Sequence, residues 1–173
     1  MKFIVIFAIS FISSSLYAQT PLPMIDGKVV FEQIDTFPNS SKNILYKKAK
    51  LWQINSYPAK EKNIITDNKD SALLISYGMT PFGYTYGSNN INISFNCYYL
   101  IQVVCSEDKT RIKFYDIKVK ERYGHSKPIE NWSPSGSGID NASKEQKQKV
   151  FTGVNALMLV NLASFKNAMG AID

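Results

Sequence analysis

The sequence predicts an α+β domain in which a curved antiparallel sheet packs against two helices in the order β-α-β-β-β-β-α. Three observations carry this prediction. From Ile91 to Cys105, Ile91, Ile93, Phe95, Cys97, Tyr99, Ile101, Val103 and Cys105 fill every odd position, while Asn92, Ser94, Asn96 and Gln102 fall on even ones. Such period-two alternation is the mark of one long, half-buried strand. Ser143 and Gln146 have capping-box spacing ahead of Val150, Val154, Leu157, Met158, Asn161, Phe165 and Met169, which recur at helical intervals. Leu45, Ala49 and Trp52 at i, i+4 and i+7 mark a second, shorter helix.

The remaining elements follow in order. Lys28 to Ile34 is rich in β-formers and stops at Phe37-Pro38-Asn39, which predicts the first strand. Ser40 or Ser41 caps the helix after it, and the helix is expected to end near Tyr57-Pro58. Asn63 to Thr66, the turn residues Asp67 to Asp70, and Ala72 to Met79 read as a hairpin, with Leu73, Ile75, Tyr77 and Met79 on one face. Gly78 to Asn90, with three glycines and a proline, reads as a loop. Ser106 to Thr110 turns the chain into Arg111–Val119, where the apolar parity switches from Ile112 and Phe114 to Ile117 and Val119. One extra residue at Tyr115 or Asp116, a β-bulge, would bury all four and turn Arg111, Lys113, Lys118 and Lys120 outward. Residues 121–140 are irregular and rich in Pro, Gly and Ser, which predicts a functional flap or a disordered loop.

Met1-Lys2, the apolar run Phe3 to Ile12 and the exit Ser13 to Ala18 have the form of a secretory signal peptide over residues 1–18. Ten apolar residues make about 15 Å of helix, half the thickness of a bilayer core, so a retained anchor is disfavoured. The expectation is an exported, soluble periplasmic or extracellular protein with a single domain over 22–173 and no membrane span. Losing residues 1–18 removes one lysine and lowers the net charge from +6 to +5. Solubility alone accounts for a surplus of this size; if the charge does mark a partner, the matching anions for an exported protein are lipid headgroups, acidic glycans or acidic proteins, and nucleic acid is disfavoured.

The chain has one histidine and two cysteines, which removes most metal and nucleophile chemistry. On a continuous strand Cys97 and Cys105 lie about 26 Å apart, far beyond the reach of a disulfide, so free core thiols are expected. Gly78, Gly83 and Gly87 match no phosphate cradle. His125 reads as a solvated loop residue, Ser106-x-x-Lys109 as chance, and the pairs Glu107/Asp108 and Glu121/Glu130 as turn charges. No catalytic residue, metal site or cofactor is predicted.

What survives is the sheet face turned away from the helices. Tyr98, Leu100 and Val104 on even positions of the long strand, with Leu74 from its neighbour, place apolar groups where water is expected, as an interface would. The alternative is that the long loop folds over them with Ile129 and Trp132. Beside them would run Arg111, Lys113, Lys118 and Lys120 with Tyr98 and Tyr115 interleaved, a combination suited to anionic polymers. The competing account of this row is cross-strand pairing with Glu32 and Asp35.

Pro23 through Phe31 (Pro-Met-Ile-Asp-Gly-Lys-Val-Val-Phe), Leu45-Tyr46 with Ala49 to Trp52, and the long alternating strand resemble the domain-of-unknown-function family with a TBP-like fold that Bacteroidetes-type bacteria secrete. The resemblance implies a TBP-like fold and a periplasmic or extracellular address, and it brings no catalytic residues. The TATA-binding protein reads DNA with its open sheet face. Carrying that role over would rest on fold alone, against the export signal.

The functional expectation is a non-enzymatic binding module whose open sheet face engages an envelope component, a protein partner or its own copy. The alternative is a helix-grip-like carrier of a small apolar ligand between sheet and C-terminal helix, with Met79, Met158 and Met169 as candidate lining. An enzyme using residues 121–140 as a lid, with Glu130 or His125, has the least support.

Overall fold

The computed structural model describes residues 22–57, 63–86, 91–121, 124–134 and 142–171. The expected signal segment, residues 1–18, lies outside them, as do parts of the long irregular stretch.

Met24–Ile25 (β1) and Lys28–Val29 (β2) form a two-stranded ribbon. Asp26 and Gly27 link them, both with positive φ (50° and 73°), as in the primed turns that suit an Asp-Gly hairpin. The first predicted strand is therefore divided at Val30, and Phe31–Thr36 (β3) joins the main sheet. Lys42–Ser56 (α1) follows, with the Ser41 hydroxyl accepting from the Ile44 amide. Ile64–Asn68 (β4), Leu73–Tyr86 (β5), Ile91–Ser106 (β6) and Lys109–Glu121 (β7) run antiparallel in the spatial order β3-β7-β6-β5-β4. Lys127–Pro128 (β8) pairs with β7, a 3-10 turn covers Ile129–Trp132, and Lys144–Gly170 (α2) closes the chain behind the full Ser143/Gln146 capping box.

The core lies between the sheet and the two helices. Odd-numbered residues of β6 from Phe95 to Cys105 are buried, as are Ile112, Phe114, Ile117 and Val119 of β7. The parity switch in β7 is resolved by a bulge: β6–β7 pairing shifts between Tyr98↔Lys118 and Leu100↔Tyr115, and Asp116 stands at φ 49°. Aspartate is one of the few non-glycine residues that tolerate this conformation. From the helices, Leu45, Ala49, Trp52, Val150, Val154, Met158 and Phe165 pack against this face. The helices are joined by an edge-on contact between Trp52 and Phe165, with ring centroids 5.1 Å apart, and by the Trp52 indole N–H donating to Ser164 Oγ at 3.1 Å.

Cys97 and Cys105 are free and buried, and burial pushes both thiols up to about 12. Glu107 and Asp108, expected only as solvated turn charges, hold the start of α1. Asp108 Oδ1 accepts from the Ser40 amide at 2.9 Å and Glu107 Oε2 from the Lys42 amide at 3.2 Å. Glu107 thus satisfies an unpaired amide of the first helical turn, and Asp108 fixes the residue just before the cap.

The expected loop over 78–90 is corrected for 78–86, which continue β5 in unbroken register with β6; residues 87–90 lie outside the described residues. The Cys105 amide donates to Ala72 O at 3.0 Å, so even-numbered residues of β5 bond to β6 and odd-numbered ones point their backbone groups the other way. Pro81 is odd, so its missing N–H falls on the side where β4 pairs no further than Ser76 and no ladder bond is lost. The glycines answer steric demands. A Cβ on Gly78 would lie 2.2 Å from the Tyr99 ring, and one on Gly83 would lie 2.6 Å from Ile93 O.

Candidate functional site

Pairing sets the composition of the sheet face opposite the helices. Directly opposed residues of an antiparallel pair share a face. Leu73 opposes Val104, Ile75 opposes Gln102, Tyr77 opposes Leu100 and Met79 opposes Tyr98. Across β7 the partners are Val104↔Arg111, Gln102↔Lys113, Leu100↔Tyr115, Tyr98↔Lys118 and Asn96↔Lys120. Tyr98, Leu100, Val104, Arg111, Lys113, Tyr115, Lys118 and Lys120 therefore all lie on the open face where the sequence placed them.

Leu74 does not. It opposes Val103, has no exposure and belongs to the core, so its assignment to the open face is corrected. The residues that replace it are Leu73, Ile75, Tyr77 and Met79, with Tyr77 59% and Met79 37% exposed. Ile34 adds to the row of Arg111 and is 58% exposed. The period-two reading groups the four β5 residues correctly but, with Leu74 placed outward, assigns them to the core side, the reverse of what the register shows. The signal that settles it is the hairpin register with β6.

The long loop does not cover this face with the residues proposed for the task. Ile129 and Trp132 are buried on the helix side, where Trp132 meets Phe95 edge-on at 5.5 Å. Glu130 Oε1 accepts from the Val29 amide at 2.7 Å, which ties the 3-10 turn to the N-terminal ribbon. Glu130 is thereby engaged in a structural contact, His125 is exposed, and among the described residues no cluster of three His, Cys, Asp or Glu could hold a metal ion.

The basic row is partly neutralised within the sheet. Arg111 Nε donates to Glu32 Oε1 at 2.5 Å, and this bond, more than the opposing desolvation, holds the Glu32 carboxyl below its ordinary range. Lys118 pairs with Asp116 at 2.8 Å, and Lys113 Nζ sits 5.4 Å from the Tyr115 ring centroid. Asp35 takes no part in this row. It is buried, accepts from Gln33 Nε2 at 2.5 Å and faces Lys166 Nζ at 3.4 Å. The open face is therefore an apolar and aromatic band edged by cations with mixed engagement.

Nor do Met79, Met158 and Met169 line one cavity. Met79 stands on the open face while Met158 and Met169 are packed in the core. A cleft of about 160 Å³ bounded by Tyr84, Ile93, Phe95, Glu121, Trp132, Ala142 and Gln146 sits where the ends of β5, β6 and β7 meet the start of α2. Deeper under the sheet, the Tyr99 hydroxyl is bonded to Thr80 Oγ1 at 2.7 Å and accepts from Asn161 Nδ2 at 3.3 Å.

The family model of DUF4468, a domain of unknown function with TBP-like fold, matches residues 31–120, which run from the start of β3 to the end of the bulged strand β7. The chain belongs to the DUF4468 family. Two solved structures have the same fold. A DUF4468 family protein from Bacteroides ovatus aligns with a TM-score of 0.71 at 16% identity, covering 88% of this chain and 92% of that one. A TBP-like protein from Parabacteroides distasonis aligns with a TM-score of 0.68 at 17% identity, covering 87% and 98%. At such identity the likeness is one of fold. No curated protein matches the chain. The family membership and the TBP-like fold expected from the sequence both hold. Among the described residues no helix is long and apolar enough to cross a membrane.

Proposed function

We propose that this member of the DUF4468 family is an exported, non-enzymatic binding module that engages a macromolecular partner through the sheet face opposite its helices. The supporting observation is the band of Leu73, Ile75, Tyr77, Met79, Tyr98, Leu100, Val104 and Tyr115, brought together by the β5–β6–β7 register on the side away from the core. A monomer rarely leaves so many neighbouring apolar groups on one face without a use for them. The exposed and half-buried tyrosines fit the aromatic enrichment of interface centres, and Arg111, Lys118 and Lys120 fit a polar rim. Export rests on the signal-like N-terminus, and absence of catalysis on the engagement of Glu130 by the Val29 amide and the solvent exposure of His125.

Site-specific photo-crosslinking in the producing cells tests this reading. A photoreactive side chain at Tyr77 or Tyr98 is expected to give a discrete adduct, whether with another protein or with a second copy. The same group at the exposed Lys144 of α2 gives none. Absence of an adduct at both sheet positions, or equal adducts at all three, would contradict the proposal.

A further inference from the structure

The helix layer carries a second, separate surface. The core stripe of α1 is Leu45, Ala49 and Trp52; Ile44, Lys47 and Leu51 point away from it, with the half-buried Lys48 on its flank toward α2. Ile44 is 45% exposed and Leu51 59% exposed, one above the other two turns apart. Helix α1 holds four lysines and no acidic residue. Lys69, from the β4–β5 turn, joins Tyr46, Lys47, Lys50, Leu51 and Ile54 around a shallow cleft of about 360 Å³. The nearby acids are Asp67, already engaged by Lys50 Nζ at 2.5 Å and by the Tyr46 hydroxyl, and Asp70, adjacent to Lys69 in sequence. Lys48 is also engaged, donating to the Ala171 carbonyl at the end of α2. Lys47, Lys48, Lys50 and Lys69 against two aspartates leave the patch positive, with Lys47 and Lys69 exposed at its surface.

From this arrangement we infer that the outer face of α1 is a docking surface for an anionic lipid bilayer. Charge complementarity alone would admit any polyanion. The apolar pair decides between them, because Ile44 and Leu51 gain nothing from a soluble polyanion but can enter the boundary between headgroups and acyl chains while the lysines around them meet anionic headgroups. The inner stripe of α1 stays packed on the sheet, so docking requires no unfolding. With the helices toward a bilayer, the open sheet face would point away from it and remain available.

Co-sedimentation with vesicles tests this, using purified chain verified by N-terminal sequencing to lack the apolar run at residues 3–12. The chain is expected to pellet with vesicles containing phosphatidylglycerol, not with pure phosphatidylcholine, and to be released by salt. Replacing both Lys47 and Lys69 with Gln is expected to weaken binding about thirtyfold, from roughly 1 kcal/mol per lysine near an anionic surface. Leu51→Asp is expected to reduce binding by at least tenfold while leaving the melting temperature unchanged, since the side chain is exposed. Equal pelleting with both vesicle types, no pelleting with either, or full binding by Leu51→Asp would overturn the inference. So would a soluble polyanion such as dextran sulfate binding wild type and Leu51→Asp alike and displacing the chain from vesicles.

Discussion

Gly78→Ala is expected to lower the stability of the domain by about 3 kcal/mol, although it adds only one methyl group and replaces glycine within a strand. On an unobstructed strand the change would be favourable by about 0.4–1 kcal/mol, because alanine has less unfolded-state entropy to lose. Here the new Cβ would fall 2.2 Å from Cε2 and 2.7 Å from Cδ2 of Tyr99. The Tyr99 ring cannot step aside. It is buried, wedged edge-on against Phe114 at 5.5 Å and Tyr57 at 6.1 Å, and tethered through its hydroxyl to Thr80 and Asn161. Overpacking of this kind costs about 1–3 kcal/mol, and more where neighbours are fixed. A double-mutant cycle in urea isolates the clash. Tyr99→Ala alone is expected to cost about 3–5 kcal/mol. Adding Gly78→Ala to it should then be neutral or slightly stabilising, and simple additivity would mean that the ring and the glycine do not meet.

Phe165→Ala is the second large effect. Phe165 has no exposure and joins α2 to Trp52 of α1, so its loss leaves a cavity between the two helices. Truncation of a buried phenylalanine costs about 3–5 kcal/mol. That is a large part of the 5–15 kcal/mol typical of a whole domain. Equilibrium unfolding should show a much lower midpoint at an unchanged slope. By contrast, Leu159→Ala on the exposed side of the same helix should leave the midpoint nearly where it was. Equal losses in the two variants would mean that α2 is rotated about its axis.

The elements that could be read from the chain were those whose pattern had one solution. In β6 the odd positions are apolar without a gap from Phe95 to Cys105, so a shift by one residue would expose the whole set. In β7 two in-phase segments differ by one residue, and a bulge at Asp116 is the least costly way to keep both buried. The inward face of strand β5 was not legible because Leu73 and Leu74 are both apolar. Its odd set (Leu73, Ile75, Tyr77, Met79) is also bulkier than its inward set, which includes Ser76 and Gly78. Composition alone therefore assigns the wrong face. The inward side is small because Tyr99 fills that volume from the neighbouring strand, a relation visible only once the register is known. Gly78, Pro81 and Gly83 read as a loop for the same reason: each answers to a neighbouring strand or to the strand's open side. The open-face residues of β6 and β7 were legible in turn because their parity was fixed by their own strand.

An aspartate walk along β6, at Tyr98, Tyr99, Leu100 and Ile101 in turn, tests most directly which side of this sheet faces the core and which is left for a partner. Each variant would be followed by thermal unfolding and near-ultraviolet circular dichroism. Tyr98→Asp and Leu100→Asp are expected to fold with modest losses. Tyr99→Asp and Ile101→Asp would place a carboxylate among the buried side chains of α1, α2 and β7 and should fail to fold at neutral pH. A flat profile, or one in which Leu100→Asp is as damaging as Ile101→Asp, would contradict the account.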